Sequence, residues 1–233
     1  MKKKENFWVF IPARSGSKTI KNKNIINFKG KPLMAHSIIV GKKLKLGKIV
    51  VSSDSRKYLN IAKKFGANFL HLRPKKFSKD NTTDLEVFRD FLLHLKKIGS
   101  TPPDFFIHLR PTSPLRKLKT LKKGIELFKR NKKKITSMRS VNIMTNPTQK
   151  TMKIRKNRLC SVINNDFSLD KFNKPKENFE KTYLPNGYID IVCTKNIKKK
   201  ILHGDKVLPC VINELNSDID GFDDLKYINL MTR

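Results

Sequence analysis

Residues 10–25 read FIPARSGSKTIKNKNI. An apolar run stops at Pro12, and Arg14, Ser15, Gly16, Ser17 and Lys18 follow almost at once. Backbone amides freed by Gly16 and its flanking serines suit a phosphate. Arg14, Lys18, Lys21 and Lys23 carry enough positive charge to neutralise a triphosphate. The motif is neither of the common ones. A P-loop needs glycine directly before lysine, and here Ser17 follows Gly16; GxGxxG needs glycines this loop lacks. A merely solvated basic loop is the plain alternative.

Three further stretches carry chemistry. Near the carboxyl end stands Ser217-Asp218-Ile219-Asp220. Side chains on an extended segment repeat every two residues, so Asp218 and Asp220 share one side. Two carboxylates on one side suit a hard cation such as Mg²⁺. A turn or capping cluster with Asp223 and Asp224 is the alternative. Residues 108–116, HLRPTSPLR, form a proline-stiffened turn in which Thr112 and Ser113 offer hydroxyls, either to a ligand or to a helix N-terminus. Pro185-Asn186-Gly187 by itself reads as a turn.

The elements that must hold these stretches alternate in type. Strands are predicted over 7–11, 48–52, 68–72, 104–109 and 135–141, from short apolar runs. Helices are predicted over about 31–44, 55–65, 83–98 and 118–128; in the third, Leu85, Phe88, Leu92 and Leu95 fall at helical spacing. Strands resume over 188–193 and 207–212, and a short helix covers about 223–231. This order implies an α/β fold, a mostly parallel sheet with helices on both faces. Ligands then bind beyond the carboxyl ends of the strands, so the loops 12–24, 52–55 and 110–115 are the ones of interest. From 142 to about 182 the pattern loosens around a small hairpin at Lys156–Asn157. That segment is expected to be an excursion from one domain spanning 1–233 that serves as an oligomer contact.

Composition narrows the partners. The 233 residues hold 52 Lys+Arg against 19 Asp+Glu, a formal charge of +33. Such a field attracts polyanions. The lysines are spread over the whole chain with no aromatic-basic signature, so nucleic acid is not the expected partner. The three cysteines form no CxxC pair and the five histidines no HExxH, which argues against a zinc site or a disulfide framework. No stretch approaches the roughly 20 apolar residues of a membrane span. The basic start is followed by too short an apolar run for a signal peptide. A cytoplasmic protein is expected.

Taken in order, IPARSGSK, KNKNI, GKPLMAHSI, IVVSSD, LRPTSPLR, PNGYIDI and SDID resemble the N-acylneuraminate cytidylyltransferases, the CMP-sialic acid synthetases. The resemblance runs from about Phe7 to Leu230, and the opening loop with GKPL is specific to sugar-acid cytidylyltransferases. It implies a Rossmann-like fold and a homodimer in which a protruding segment of one subunit reaches the other's active site. It implies a Mg²⁺-dependent reaction of CTP with the anomeric hydroxyl of a nine-carbon α-keto acid sugar, giving CMP-sugar and pyrophosphate. By family position Arg14, Lys18 and Lys23 face the triphosphate, with Ser15 and Gly16 in the same loop and Asn24 on the nucleotide. Ser52 and Asp54 border the nucleotide pocket, and Asp218 and Asp220 hold the metal. Arg73, Arg110, Thr112, Ser113, Lys176, Asn186 and Asp190 fall on the sugar side.

Three sugar-side positions depart from the family pattern: Arg110 stands where glutamine is frequent, Lys176 where arginine is frequent, and Asp190 where tyrosine is frequent. Arginine grips a carboxylate in a two-pronged geometry that lysine cannot copy, so Arg110 is expected to take over the sugar's carboxylate. Asp190 either favours an amino-bearing sugar or pairs with a nearby lysine. The competing readings are an enzyme for an eight-carbon acid sugar, a nucleic-acid-binding protein, and a relative that binds CTP without turnover.

Overall fold

The computed structural model describes residues 5–214 and 218–232. The basic start at 1–4 and Ser217 lie outside the described residues. The strands are β1 (Phe7–Pro12), β2 (Asn27–Phe28), β3 (Lys31–Pro32), β4 (Ile49–Ser53), β5 (Phe69–Leu72), β6 (Phe105–His108), β7 (Ser137–Ile143), β8 (Met152–Arg155), β9 (Arg158–Ser161), β10 (Tyr183–Cys193) and β11 (Val207–Val211). The α-helices are α1 (Leu33–Lys43), α2 (Arg56–Lys64), α3 (Asp84–Lys97), α4 (Leu118–Asn131), α5 (Thr194–Lys198) and α6 (Phe222–Leu230).

A seven-stranded sheet has the order β11-β7-β10-β6-β1-β4-β5. Only β10 runs against its neighbours, β6 and β7; the other pairs are parallel. Central strand β1 explains the apolar run that encodes it: residues 7–11 are buried on both faces, as a covered parallel strand requires. Val9 and Ile11 pack with Met34 and Ile38 of α1, Tyr58 of α2 and Ile125 of α4. Trp8 and Phe10 point the other way, onto Phe88 and Phe91 of α3. The Phe10 and Phe88 ring centroids are 4.3 Å apart. Burying each such side chain stabilises the fold by about 1.5–3 kcal/mol.

Local signals set the boundaries. Ser55 caps α2 by accepting from Tyr58 N, and Thr83 with Glu86 closes a reciprocal capping box on α3. The helix expected from residue 31 starts at Leu33, because Lys31–Pro32 pairs with Asn27–Phe28 instead. The expected turn at Pro185-Asn186-Gly187 is an irregularity inside β10: the register with β7 shifts between Pro185 and Asp190. Gly187, at φ +64°, supplies the left-handed kink that lets the strand continue. Short α5 was not anticipated; five residues carry too little periodicity to read.

The segment after β7 leaves the sheet. Its β8–β9 hairpin turns at Lys156 and Asn157, both at positive φ. Ile154, Leu159, Ile163 and Phe167 are exposed there. Among the described residues no helix is long and apolar enough to cross a membrane.

Candidate active site

The parallel registers bring Pro12, Ser53 and His108 towards the same end of the sheet. The loops that follow enclose a cleft of about 480 Å³, lined among others by Arg14, Lys18, Lys23, Arg73, Arg110 and Asp220. Its walls therefore come from residues nearly the whole chain apart.

The basic loop is held from beneath. Ser15 donates to Asp54 twice, from its amide and its hydroxyl, both at 2.8 Å. Asn24 is buried and donates to the Arg14 carbonyl at 2.8 Å. Ile20, midway along the loop, packs with Phe28, Leu33, Ile219 and Ile228. Ile219 is the residue between the two aspartates. Asp218 and Asp220 are exposed while Ile219 is fully buried, the alternation expected of an extended segment. One small apolar cluster thus fixes the basic loop and the carboxylate pair relative to each other. Lys23 Nζ lies 2.8 Å from Asp220 Oδ1, closing the cleft between them. Ile219 N donates to the Thr112 carbonyl at 2.9 Å, tying the pair to the proline-rich turn. Desolvation, reinforced by the charge of Asp220, raises the Asp218 carboxyl above its ordinary range despite a hydrogen bond from Thr112.

The donors present fit a hard cation. Asp218 and Asp220 offer oxygen ligands on one side and repel one another. Among the described residues no group of three or more His, Cys, Asp or Glu is placed to hold a metal. Mg²⁺ needs no such cage, since it is commonly held by one or two carboxylates plus substrate phosphates.

Other expected residues divide between the cleft and its supports. Thr112, Asn24, Arg73 and Arg110 line it. Arg73 is buried at the end of β5, with no hydrogen-bond partner for its Nε among the described residues. Desolvation lowers its pKa, while Asp54 and Asp90 oppose that shift. Ser52 does not line the cleft: it is fully buried and its hydroxyl meets His71 Nδ1 at 3.0 Å. Asp54 acts on the loop through Ser15. Ser113 is buried behind Thr112. Asn186 bonds Asn142 and accepts from Tyr188 N, within the irregularity of β10. Lys176 lines a separate groove with Ile143, Pro147 and Phe179.

Arg110 and Asp190 belong to one network. Arg110 donates to Asp190 at 2.8 Å and to Asp84, at the start of α3, at 2.7 Å. Asp190 pairs with arginine rather than the lysine expected, is fully buried, and does not line the cleft. Burial opposes ionisation of Asp84, yet His108 and Arg110 outweigh it and hold that carboxyl below its usual range. Arg116, the last residue of the HLRPTSPLR stretch, is buried and donates to Ser37 Oγ at 2.9 Å and to the carbonyls of Arg110 and Gly187 at 2.9 and 2.8 Å. Burial takes its pKa down to about 9. It clasps the turn, α1 and β10 together.

His108, facing Asp190 across the sheet, is fully buried, and desolvation lowers its pKa to about 4. Below pH 6.5 the unfolded chain takes a proton that the native His108 refuses until about pH 4. Stability is therefore highest above pH 6.5 and falls through that window, by about 3 kcal/mol for this group. Urea unfolding from pH 7 to 4 should show the decline, and His108→Gln should flatten it. His36, His94 and His203, also lowered by burial, leave a residual slope of the same sign.

The chain is similar to known proteins in sequence and in fold. A family model described as "Cytidylyltransferase" matches residues 8–181. The chain is 43% identical over 122 residues to the Helicobacter pylori "Pseudaminic acid cytidylyltransferase and UDP-2,4-diacetamido-2,4,6-trideoxy-beta-L-altropyranose hydrolase", covering 52% of this chain and 23% of that protein. It is 28% identical over 217 residues to the Legionella pneumophila "CMP-N,N'-diacetyllegionaminic acid synthase", covering 90% and 88%. It is 34% identical over 182 residues to the Escherichia coli "N-acylneuraminate cytidylyltransferase", covering 78% and 41%. The matches thus span well under two thirds of the Helicobacter and Escherichia proteins. A solved CMP:2-keto-3-deoxy-manno-octonic acid synthetase, complexed with CTP, shares the fold at TM-score 0.67 and 12% identity, covering 97% of this chain and 98% of that one. By a family model that matches most of its length, the chain belongs to the cytidylyltransferase family.

Proposed function

We propose that this chain is the enzyme that transfers the cytidylyl group of CTP to the anomeric hydroxyl of a nonulosonic acid, a nine-carbon α-keto sugar acid. The sugar oxygen forms a bond to the α-phosphorus and pyrophosphate leaves. One observation carries the reading: the basic loop after β1 and Asp220 of the carboxylate pair meet in one cleft, at the 2.8 Å contact of Lys23 with Asp220. A site holding both is suited to a metal-bound polyphosphate. The named relatives that act on pseudaminic, legionaminic and neuraminic acids support the sugar class.

Arg14, Lys18 and Lys23 would neutralise and orient the triphosphate and then the departing pyrophosphate. Asn24 fixes the loop through the Arg14 carbonyl while facing the cleft. Asp218 and Asp220 would hold Mg²⁺, which would polarise the phosphate and acidify the attacking hydroxyl. Thr112, presented by the turn that Arg116 clasps, offers a hydroxyl to the substrate.

The homodimer is part of the same proposal. The exposed apolar side chains on the β8–β9 excursion support an interface there, and Lys176, which lines a groove of its own, would serve a neighbouring subunit rather than this cleft.

Calorimetric binding of CTP, ATP, GTP and UTP at moderate salt with Mg²⁺ tests the reading, followed by pyrophosphate release on a panel of nonulosonic acids. A clear preference for CTP and turnover with one of the sugars is the expected result. Equal, salt-sensitive binding of all four nucleotides would reduce the site to a positive field that collects anions.

A further inference from the structure

The cations read as the triphosphate site do not stand unpaired. Asp80 Oδ1 lies 2.6 Å from Arg14 Nη1, and its Oδ2 lies 2.8 Å from Lys18 Nζ. One carboxylate thus bridges two cations with both oxygens, as a phosphoryl group would. Asp80 stands between the single turn at Lys75–Phe77 and the start of α3. Hydrogen bonds from Thr82 N to the Lys79 carbonyl and from Lys79 N to Thr82 Oγ1, both 3.1 Å, shape its loop. The capping box of Thr83 and Glu86 already closes the helix end behind it.

Asp80 differs from the other carboxylates of the cleft. Asp84 is locked to Arg110, and Asp220 belongs to the carboxylate pair. Asp80 touches only the two loop cations among the described residues, and its side chain is 44% exposed. An exposed pair of this kind is readily broken.

We infer that Asp80 is an internal competitor for the polyphosphate: it occupies Arg14 and Lys18 until a polyphosphate displaces it, and so sets which anions fill the cleft. The inference rests on reading the basic loop as the triphosphate site. Any ligand that needs both cations meets the same threshold, because each must first remove the same carboxylate. A weakly bound anion such as inorganic phosphate fails to fill the site. CTP, with a base and ribose to add contacts, still does. In a chain with a formal charge of +33 such a threshold is useful, because the general field attracts every small anion. After the reaction Asp80 returns to Arg14 and Lys18 and favours departure of pyrophosphate.

Asp80→Asn keeps the shape and removes the charge. The probes are pyrophosphate, CTP and cytidine, each with Mg²⁺, measured by calorimetry at two ionic strengths. Pyrophosphate and CTP should both bind about fivefold tighter, by a common factor, and their affinities should fall more steeply with salt than in the unaltered protein. Cytidine should be unaffected. Glu126→Gln, on the outer face of α4, makes the same change in net charge far from the cleft lining and should leave all three unaltered. Weaker polyphosphate binding in Asp80→Asn, or tightening no greater than in Glu126→Gln, would overturn the inference. Pyrophosphate carries no base, so its response tests Asp80 even if the unaltered protein shows no preference for CTP. Loss of that preference would instead count against the proposed function alone.

Discussion

Asp220→Ala should lower pyrophosphate release by about 10³-fold while leaving the fold intact. The side chain is 76% exposed, so little packing is lost with it. What holds the segment in place is elsewhere: Ile219 in its apolar cluster, Ile219 N on the Thr112 carbonyl, and Asp220 N on Asp224 Oδ2 at 2.9 Å. The chemical loss is specific. Asp218 alone offers one carboxylate where the pair would offer two oxygen ligands to the cation. The substitution also frees Lys23. Two measurements therefore move in opposite directions. Without Mg²⁺, CTP should bind at least as well as to the unaltered chain, because Lys23 no longer has a competing partner. With Mg²⁺, the gain in affinity and rate conferred by the metal should disappear. Near-normal turnover with ordinary Mg²⁺ dependence would show that the pair is a capping cluster for α6, the alternative that composition alone left open.

The parts of this site that were legible are those encoded locally. The run at 7–11 gives a buried strand because both faces are covered. The alternation of Asp218, Ile219 and Asp220 gives the side on which each residue falls, and the structure adds only the neighbours of Ile219. The glycine-serine loop was recognisable because its residue types have few other uses after a buried strand. The unread parts depend on pairings across the fold. Asp84 and Arg110 are 26 residues apart, and Arg110 and Asp190 are 80 apart. In a chain this rich in lysine, no local pattern marks which cation an aspartate will meet. Ser52 illustrates the same limit at a strand end. Its place in the sequence fits a cleft residue, but the register of β4 with β5 sets it opposite His71, inside the sheet. Asp80 and Arg116 had no signature because their partners lie on elements distant in sequence.

Arg110→Ala should destabilise the protein by about 3 kcal/mol, because it strands Asp190 as a buried charge without its 2.8 Å partner. For a domain of this size that corresponds to a fall in Tm of roughly 6–12 °C. Arg139, 4.0 Å away, is too distant to replace the hydrogen bond. Adding Asp190→Asn to the same chain should restore most of the loss, since the stranded charge is then gone. This pair of variants also decides what the guanidinium does for the substrate. An arginine gripping Asp84 and Asp190 together has its charge cancelled and both arms engaged. It is therefore a poor clamp for the sugar's carboxylate, the role expected of it because Lys176 stands where arginine is frequent. If the network is a wall of the cleft, Arg110→Ala with Asp190→Asn should keep the sugar KM within a few-fold while stability recovers. If Arg110 leaves its partners to hold the sugar, stability should recover in the double variant while the sugar KM stays at least tenfold high. Lys176→Ala separates the remaining source of charge: under the first outcome it raises the sugar KM, and under the second it leaves it unaltered. If the proposed sugar acid is the substrate, its carboxylate needs a cation, and these variants show whether that cation is carried by the turn at 110–116 or by the excursion at 142–182.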